Sequence, residues 1–195
     1  MRAFDFTLKY RLEDAGENPE QHLDSLAQTG CNDAVVGIGQ NGCIALNFVR
    51  EAGSAYDAIT SAIADVYKAI PEAKLVEAKP DFVGVTDMAN LFGHSRQYMR
   101  QFIQKKGAAF PEPIHQGKPS LWHLKDVLVW FRSHDSSRVP SDLLEVAEIN
   151  MQLNVSMSCA RVSTLLGLHK GKIQIINNDC FSTEESWDSF AEVQK

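Results

Sequence analysis

The first twelve residues alternate between apolar and polar side chains. The apolar ones share one parity: Phe4, Phe6, Leu8, Tyr10 and Leu12. A period of two predicts a β-strand with one buried face. Further on, Asn18 followed by Pro19 predicts the start of a helix, which Gly30 ends.

Two more strands are predicted for Ala34 to Ile38 and Cys43 to Val49, joined by a tight turn at Asn41-Gly42. The run from Gly37 to Gly42 also spells G-x-G-x-x-G, the pattern of a dinucleotide-binding loop. Such a loop must open a helix whose N-terminus holds the pyrophosphate. Strand-forming residues follow here instead, so we interpret the run as a hairpin and expect no cofactor.

A long helix follows, capped by Ser54, with apolar residues at helical spacing: Tyr56, Ile59, Ile63, Val66 and Ile70. A short strand from Lys74 to Ala78 completes the order β-α-β-β-α-β, which is the ferredoxin-like pattern. We therefore predict an α+β protein whose residues 1–80 form a ferredoxin-like domain. That fold hosts unrelated tasks, so dimerisation, sensing and partner binding all stay open.

The next segment has the signals of two short helices. Val85 to Phe92 predicts the first, with Thr86 as its N-cap. Gly93-His94 breaks it, and Ser95 caps a second helix from Arg96 to Lys105. Two short helices joined by a glycine-containing turn are typical of a helix-turn-helix.

The second of these helices divides into two faces. Met99, Phe102 and Ile103 recur at helical spacing and are expected to face inward. The outward face has no acidic residue and consists of Arg96, Gln97, Arg100, Gln101 and Gln104. Arg and Gln are the side chains that pair with guanine and adenine edges in the major groove. A small hairpin pairing 114–116 with 120–122 would place Lys118 at its tip, and a helix from Leu124 to Phe131 would follow.

These residues resemble the winged-helix domain of MerR-type and excisionase-type bacterial DNA-binding proteins. The resemblance covers about 50 residues in three segments: VTDMANLFGHSRQYMRQF (85–102), FPEPI (110–114) and LWHLKDVLVW (121–130). It implies that the helix after Ser95 enters the major groove while the wing, 114–122, contacts the DNA backbone. His123 stands where that family often has a basic residue. The residues expected to contact DNA are Thr86, Ser95, Arg96, Gln97, Tyr98, Arg100, Gln101, Lys105, His115 and Lys118.

Charge sets the middle of the chain apart from its flanks. The whole chain has a net charge of −6, yet residues 81–134 hold seven Lys and Arg against four Asp and Glu. Residues 1–80 hold seven against twelve, and residues 135–195 hold five against nine. A basic segment between acidic flanks favours a local anionic partner such as DNA over general polyanion binding.

Residues 141–195 are predicted to form a helical region for dimerisation or partner binding. Ser141 would cap a helix over 143–153, and a second helix would begin at Ser156 or Ser158 and reach Leu166. The apolar positions of 141–166 predict self-association or, as an alternative, packing onto the wing domain of the same chain. A strand is predicted at 172–176, and the acidic, aromatic tail at 180–190 either binds a partner or folds back as a helix.

The first hypothesis is a dimeric, sequence-specific regulator of transcription that binds double-stranded DNA, repression being the expected mode. The alternative is an antitoxin or adaptor whose acidic N- or C-terminal region neutralises a basic partner, with or without autoregulation of its own promoter. No catalytic set can be assembled and the four cysteines lack metal-ligand spacing, so we expect neither an enzyme nor a metal site. Without an apolar run of about 20 residues or a leader pattern, we expect a cytoplasmic, nucleoid-associated protein that does not contact membranes.

Overall fold

A computed structural model describes residues 1–134 and 139–165 of the chain. The described residues form a mixed α+β structure with a four-stranded antiparallel sheet, a separate two-stranded pairing and six α-helices. Contacts group Met1–Val155 into one compact unit and Ser156–Lys195 into a second. The domain boundaries proposed at residues 80 and 134 stay a prediction.

The strands are β1 (Arg2–Arg11), β2 (Ala34–Gln40), β3 (Cys43–Ala52), β4 (Lys74–Lys79), β5 (Phe82–Val83) and β6 (Trp122–His123). The α-helices are α1 (Leu23–Gln28), α2 (Ala55–Ala69), α3 (Val85–Leu91), α4 (Arg96–Lys106), α5 (Leu124–His134) and α6 (Ser141–Leu165). Two short 3-10 helices, Pro19–His22 and Gly107–Ala109, precede α1 and follow α4.

The four-stranded sheet has the order β2-β3-β1-β4, and each neighbouring pair is antiparallel. The alternation predicted for β1 is confirmed, because its even-numbered side chains from Phe4 to Tyr10 are buried. Helix α2 packs on that buried face, against β1 and β3, and α1 packs against α2. The odd-numbered side chains of β1 lie on the opposite face, where they are exposed or half-buried.

The start and stop signals of this region are also confirmed. The Asn18 side chain caps the 3-10 helix by accepting from the Glu20 N–H, and Ser54 caps α2 by accepting from the Asp57 N–H. Gly42 turns the β2–β3 hairpin with φ +71°, and a Cβ there would lie 2.6 Å from the Ala15 backbone. The G-x-G-x-x-G run is therefore a strand and its turn, as the hairpin interpretation predicted.

A second core fills the region between β5 and α6. Its aromatic members are Phe92, Phe102, Phe110, Trp122, Trp130 and Phe131. The Trp122 indole N–H donates to the Pro111 carbonyl at 2.9 Å, so the buried indole is satisfied. Leu144 and Ala147 of α6 belong to the same core. These two apolar positions of α6 are thus used within the chain.

Helix α6 corrects one prediction. The expected break between 153 and 156 is wrong, since a single helix runs over Ser141–Leu165. No Gly or Pro interrupts this stretch, which runs through Ser156 and Ser158 without a break, and the Asn154 side chain bonds to Ala78 of β4. The strand predicted at 172–176 and the tail at 180–190 lie outside the described residues, as do residues 135–138.

A buried carboxylate joins the sheet, the middle segment and α6. Asp81 is 1% exposed, and its carboxylate lies 2.7 Å from His123 Nδ1 and accepts from the Asn154 amide at 2.7 Å. The Asn154 side chain also accepts from the Ala78 N–H at 2.9 Å and donates to the Ala78 carbonyl at 2.8 Å. Because Ala78 lies in the edge strand β4, α6 covers backbone groups that would otherwise be open to pairing.

We expect Asn154→Ala to destabilise the protein strongly. The change removes hydrogen bonds to Ala78 and Asp81 and leaves buried polar groups with fewer partners, which costs about 3 kcal/mol. Equilibrium unfolding of the full chain in urea measures this free energy. Gln152→Ala is the matched control, because Gln152 is exposed on the same helix and should change stability by about 0.5 kcal/mol or less. Equal effects of the two changes would contradict the role given to Asn154.

Candidate nucleic-acid interface

Helix α3 begins two residues earlier than predicted. Its N-cap is Gly84, whose N–H donates to the Asp87 carboxylate at 2.8 Å. The prediction of Thr86 as N-cap is therefore wrong, and Thr86 is an exposed residue of the first turn. The physical reason is that Asp87 satisfies the backbone at the helix start, where a negative charge is also favoured by the helix dipole.

The turn between α3 and α4 has the hydrogen bonds of a Schellman motif. The His94 N–H donates to the Ala89 carbonyl at 2.8 Å, and the Gly93 N–H donates to the Asn90 carbonyl at 3.3 Å. Gly93 occupies the left-handed position with φ +68°. This closes α3 in one residue and sends the chain directly into α4.

Helix α4 begins where the sequence predicted. The Ser95 hydroxyl oxygen accepts from the Tyr98 N–H at 3.1 Å and caps the helix, which then runs over Arg96–Lys106. The predicted cap is confirmed. With Gly93 and Ser95 in these roles, the start of α4 is set by two local interactions next to each other.

The two predicted faces of α4 are present in the structure. Met99 is fully buried, and Phe102 and Ile103 pack against the same core. The side chains of the opposite face are exposed: Arg96, Gln97, Arg100, Gln101, Gln104 and Lys105. The sequence has no acidic residue between Asp87 and Glu112. The exposed face therefore offers cations and amides without a competing carboxylate on the same helix.

The charges of this segment differ from those of the sheet region in how they are paired. Among the described residues, none of the seven Lys and Arg of 81–134 forms an ion pair. By contrast, Arg50 pairs with Asp33 and Asp65, at 2.7 and 2.9 Å. Only Lys106 of the seven packs over aromatic rings, those of Phe102 and Trp130. Arg96, Arg100 and Lys105 of α4 thus remain available to an external anion.

The segment predicted as a wing is shorter than a regular hairpin. A single antiparallel bridge joins His115 and Leu121, in which the Leu121 N–H donates at 3.0 Å and the His115 N–H at 3.4 Å. Lys118 lies in the connecting loop and is exposed. The following pair, Trp122–His123, bonds to Phe82–Val83 and not to 114–116. Strand β6 therefore pairs with the strand that precedes α3 and is not part of the 114–122 loop.

His123 has a structural position that sequence reasoning missed. Its side chain is 12% exposed and lies in the Asp81 network, with the Phe82 ring centred 5.3 Å away. The signal was weak, because an Asp and a His 42 residues apart do not indicate contact. A residue placed in this way does not present a donor to a nucleic acid.

All ten residues predicted to contact DNA are exposed: Thr86, Ser95, Arg96, Gln97, Tyr98, Arg100, Gln101, Lys105, His115 and Lys118. Tyr98 is 48% exposed, and its ring centre lies 4.5 Å from that of His94 and 6.1 Å from that of Phe102. One side of Tyr98 is therefore packed while the other is open. Exposure makes contact possible, and the contacts themselves stay a prediction.

Other chemistry is sparse in the part of the chain that the structure describes. No group of three His, Cys, Asp or Glu there could hold a metal ion. No helix of that part is long and apolar enough to pass through a bilayer. Burial raises the pKa of the Cys31 thiol, which favours the unreactive protonated form. Comparison of the chain with family models, with curated proteins and with solved structures finds no match.

We expect Gly93→Ala to lower stability by about 1–2 kcal/mol, since a side chain is strained in the left-handed region. The space around Gly93 is open, so steric crowding does not contribute. Gly39→Ala is the control, because Gly39 also has open space but no positive φ. Thermal unfolding of the full chain should show a lower Tm only for Gly93→Ala. A similar Tm for both variants would mean that the turn does not require glycine.

Proposed function

We propose that this chain is a sequence-specific regulator of transcription that binds double-stranded DNA. Helix α4 is the recognition helix and residues 114–122 form the wing. The observation that carries the proposal is the exposed face of α4, which bears Arg, Gln and Lys side chains, has no acidic residue and forms no ion pair with the described residues. Repression is the expected mode.

The finer fold assignment belongs to the same proposal. The order β-α-β-β-α-β with the sheet order β2-β3-β1-β4 supports a ferredoxin-like arrangement for the N-terminal region. The tight turn from α3 to α4, followed by the 114–122 loop and α5, supports a winged helix-turn-helix. In such domains the second helix lies in the major groove.

The dimensions and chemistry of α4 suit that role. An α-helix with its side chains is about 10–12 Å across and the major groove is about 12 Å wide, so the eleven-residue α4 can lie within it. Arg100 has the reach to donate two hydrogen bonds to a guanine edge, and Gln97 or Gln101 can pair with adenine. Lys105 in the last turn of α4 and Lys118 in the 114–122 loop are exposed and suited to phosphates, which position a protein without reading sequence.

The acidic residues of the described part favour this proposal over the adaptor hypothesis. Several of them already pair with cations of the same chain: Asp33, Asp65, Glu77, Asp142 and Glu145. A carboxylate that is paired internally is less available to a basic partner. The adaptor hypothesis would have to rely on the remaining acids and on residues 166–195.

Arg100→Ala tests base reading. We expect a loss of about 1–3 kcal/mol in binding to the selected site and a relaxed preference at one base position, because a bidentate contact to a base edge is removed. Selection from random duplexes followed by titration measures both. Lys68→Ala removes the same unit of charge from an exposed position on α2 and should leave affinity and preference unchanged.

Lys118→Ala tests phosphate contact. We expect weaker binding to the selected site and to random duplex alike, and a salt dependence reduced by about one unit of slope. If Arg100→Ala and Lys118→Ala lowered affinity equally without a change in base preference, α4 would be a basic surface and not a reader. A wild-type chain that binds no duplex at low salt would overturn the proposed function.

A further inference from the structure

One face of the four-stranded sheet is left open by the helices. We call it the open face and define it by the odd-numbered residues of β1 and β3 with their register neighbours: Ala3, Asp5, Thr7, Lys9, Arg11, Cys43, Ala45, Asn47, Val49, Glu51, Val35, Gly37, Lys74, Glu77 and Lys79. All of these residues are exposed or half-buried, whereas the even-numbered residues from Phe4 to Tyr10 of β1 and from Ile44 to Ala52 of β3 are buried on the face where α2 packs. Among the described residues, no helix covers the open face.

The β2–β3 side of the open face exposes two valine side chains. Val35 is 73% exposed and lies opposite Asn47 in the register, and Val49 is 55% exposed one row further along, opposite Asp5. Strand β2, which contains Val35, is an edge strand without a charged residue, a proline or a covering segment among the described residues. Exposed valines on an otherwise polar sheet face indicate an interaction surface.

The two ends of the open face have opposite charge. Asp5 and Glu51 lie at one end, where the chain of β1 begins. Lys9, Arg11 and Lys74 lie at the other end, with Glu77 as the one acidic residue among them, while Lys79 lies opposite Thr7 in the middle row. Glu77 lies 2.8 Å from the Lys9 ammonium and 3.5 Å from that of Lys79. The nearby Lys9 ammonium lowers the pKa of Lys79, as crowding of like charges does.

We propose that a second copy of this chain binds the open face, with the two sheets packed face to face around a two-fold axis. An axis lying across the strands at the row of Thr7, Asn47 and Val35 exchanges the two ends of the face. Val35 then meets Val35 of the second copy, and Val49 meets Ala45. The acidic end of each copy lies over the basic end of the other, and such self-complementarity is what a two-fold interface requires.

The size of the face fits a reversible dimer. Four strands at about 4.8 Å spacing and about nine residues at about 3.3 Å rise give a face of about 19 by 30 Å. Two such faces bury on the order of 1,000 Å² in total, which is at the lower limit of specific interfaces. We therefore expect association in the micromolar range, with both ion pairing and valine burial needed.

Sedimentation equilibrium of the full chain without DNA tests the proposal. The wild type should rise from the monomer mass of 21.7 kDa towards twice that value as its concentration increases through the micromolar range. Val35→Glu should weaken the dimer at least tenfold, because it places two carboxylates together at the axis. Val162→Glu is the matched control: Val162 is 47% exposed on α6, outside the open face, and the change should leave the mass unaffected. Circular dichroism confirms that each variant is folded.

A charge exchange provides a second, independent test. Glu51→Arg and Arg11→Glu should each weaken self-association about tenfold, because each creates two like-charged contacts. An equimolar mixture of the two variants should recover a dimer, since both contacts are then between opposite charges. Recovery in the mixture cannot arise from a folding defect of either variant.

A chain that stays monomeric at every concentration would overturn the proposal, whether the open face is covered by residues 166–195 or by nothing. A dimer lost with Val162→Glu and kept with Val35→Glu would also overturn it and place the interface on α6. Neither outcome depends on DNA, so the proposed function and the proposed interface can fail separately.

Discussion

The Asp81 carboxylate is the constraint on which the described unit depends. It is buried between His123 at the base of the middle segment and Asn154 of α6, and Asn154 continues the connection to the edge of β4. A buried carboxylate is tolerated only where hydrogen bonds replace its hydration, so these partners must keep their places together. If the sheet separated from the α3–α4 segment, these polar groups would lose their hydrogen-bond partners. The presentation of α4 is therefore linked to the sheet by polar contacts and not only by apolar packing.

The cations of the sheet region and those of α4 differ in how they are paired. Two cations of the sheet region, Arg50 and Arg2, are paired with carboxylates inside the chain, and Arg50 is largely buried. Arg96, Arg100 and Lys105 of α4 are exposed and form no ion pair among the described residues. The net negative charge of the chain weakens non-specific binding of polyanions. The local cationic face still attracts a phosphate backbone at one surface. For a regulator this arrangement favours selectivity over raw affinity.

Symmetry relates the two proposals to each other. One recognition helix contacts few base pairs, and helix-turn-helix proteins commonly double their contacts by binding two half-sites about 34 Å apart. A reversible dimer through the open face would supply that second helix. Because the dimer is weak, DNA binding and dimerisation would be cooperative. The first half of α6 is committed to the chain's own core through Leu144 and Ala147, which leaves the sheet face as the better supported surface for a second copy.

Local patterns in the sequence were sufficient for β1, for the Asn41-Gly42 turn, for the caps Ser54 and Ser95 and for the two faces of α4, because each depends on neighbours within a few residues. Tertiary contacts decided the rest. Asp87 selected Gly84 over Thr86 as the start of α3. Helix α6 runs on through Ser156 and Ser158, where the sequence predicts a new helix, and its Asn154 bonds to β4. Asp81 drew His123 into a buried network away from any ligand surface. These outcomes depend on which polar groups meet when distant segments pack, and a polar side chain is placed by the partner that satisfies it, which periodicity and spacing do not specify.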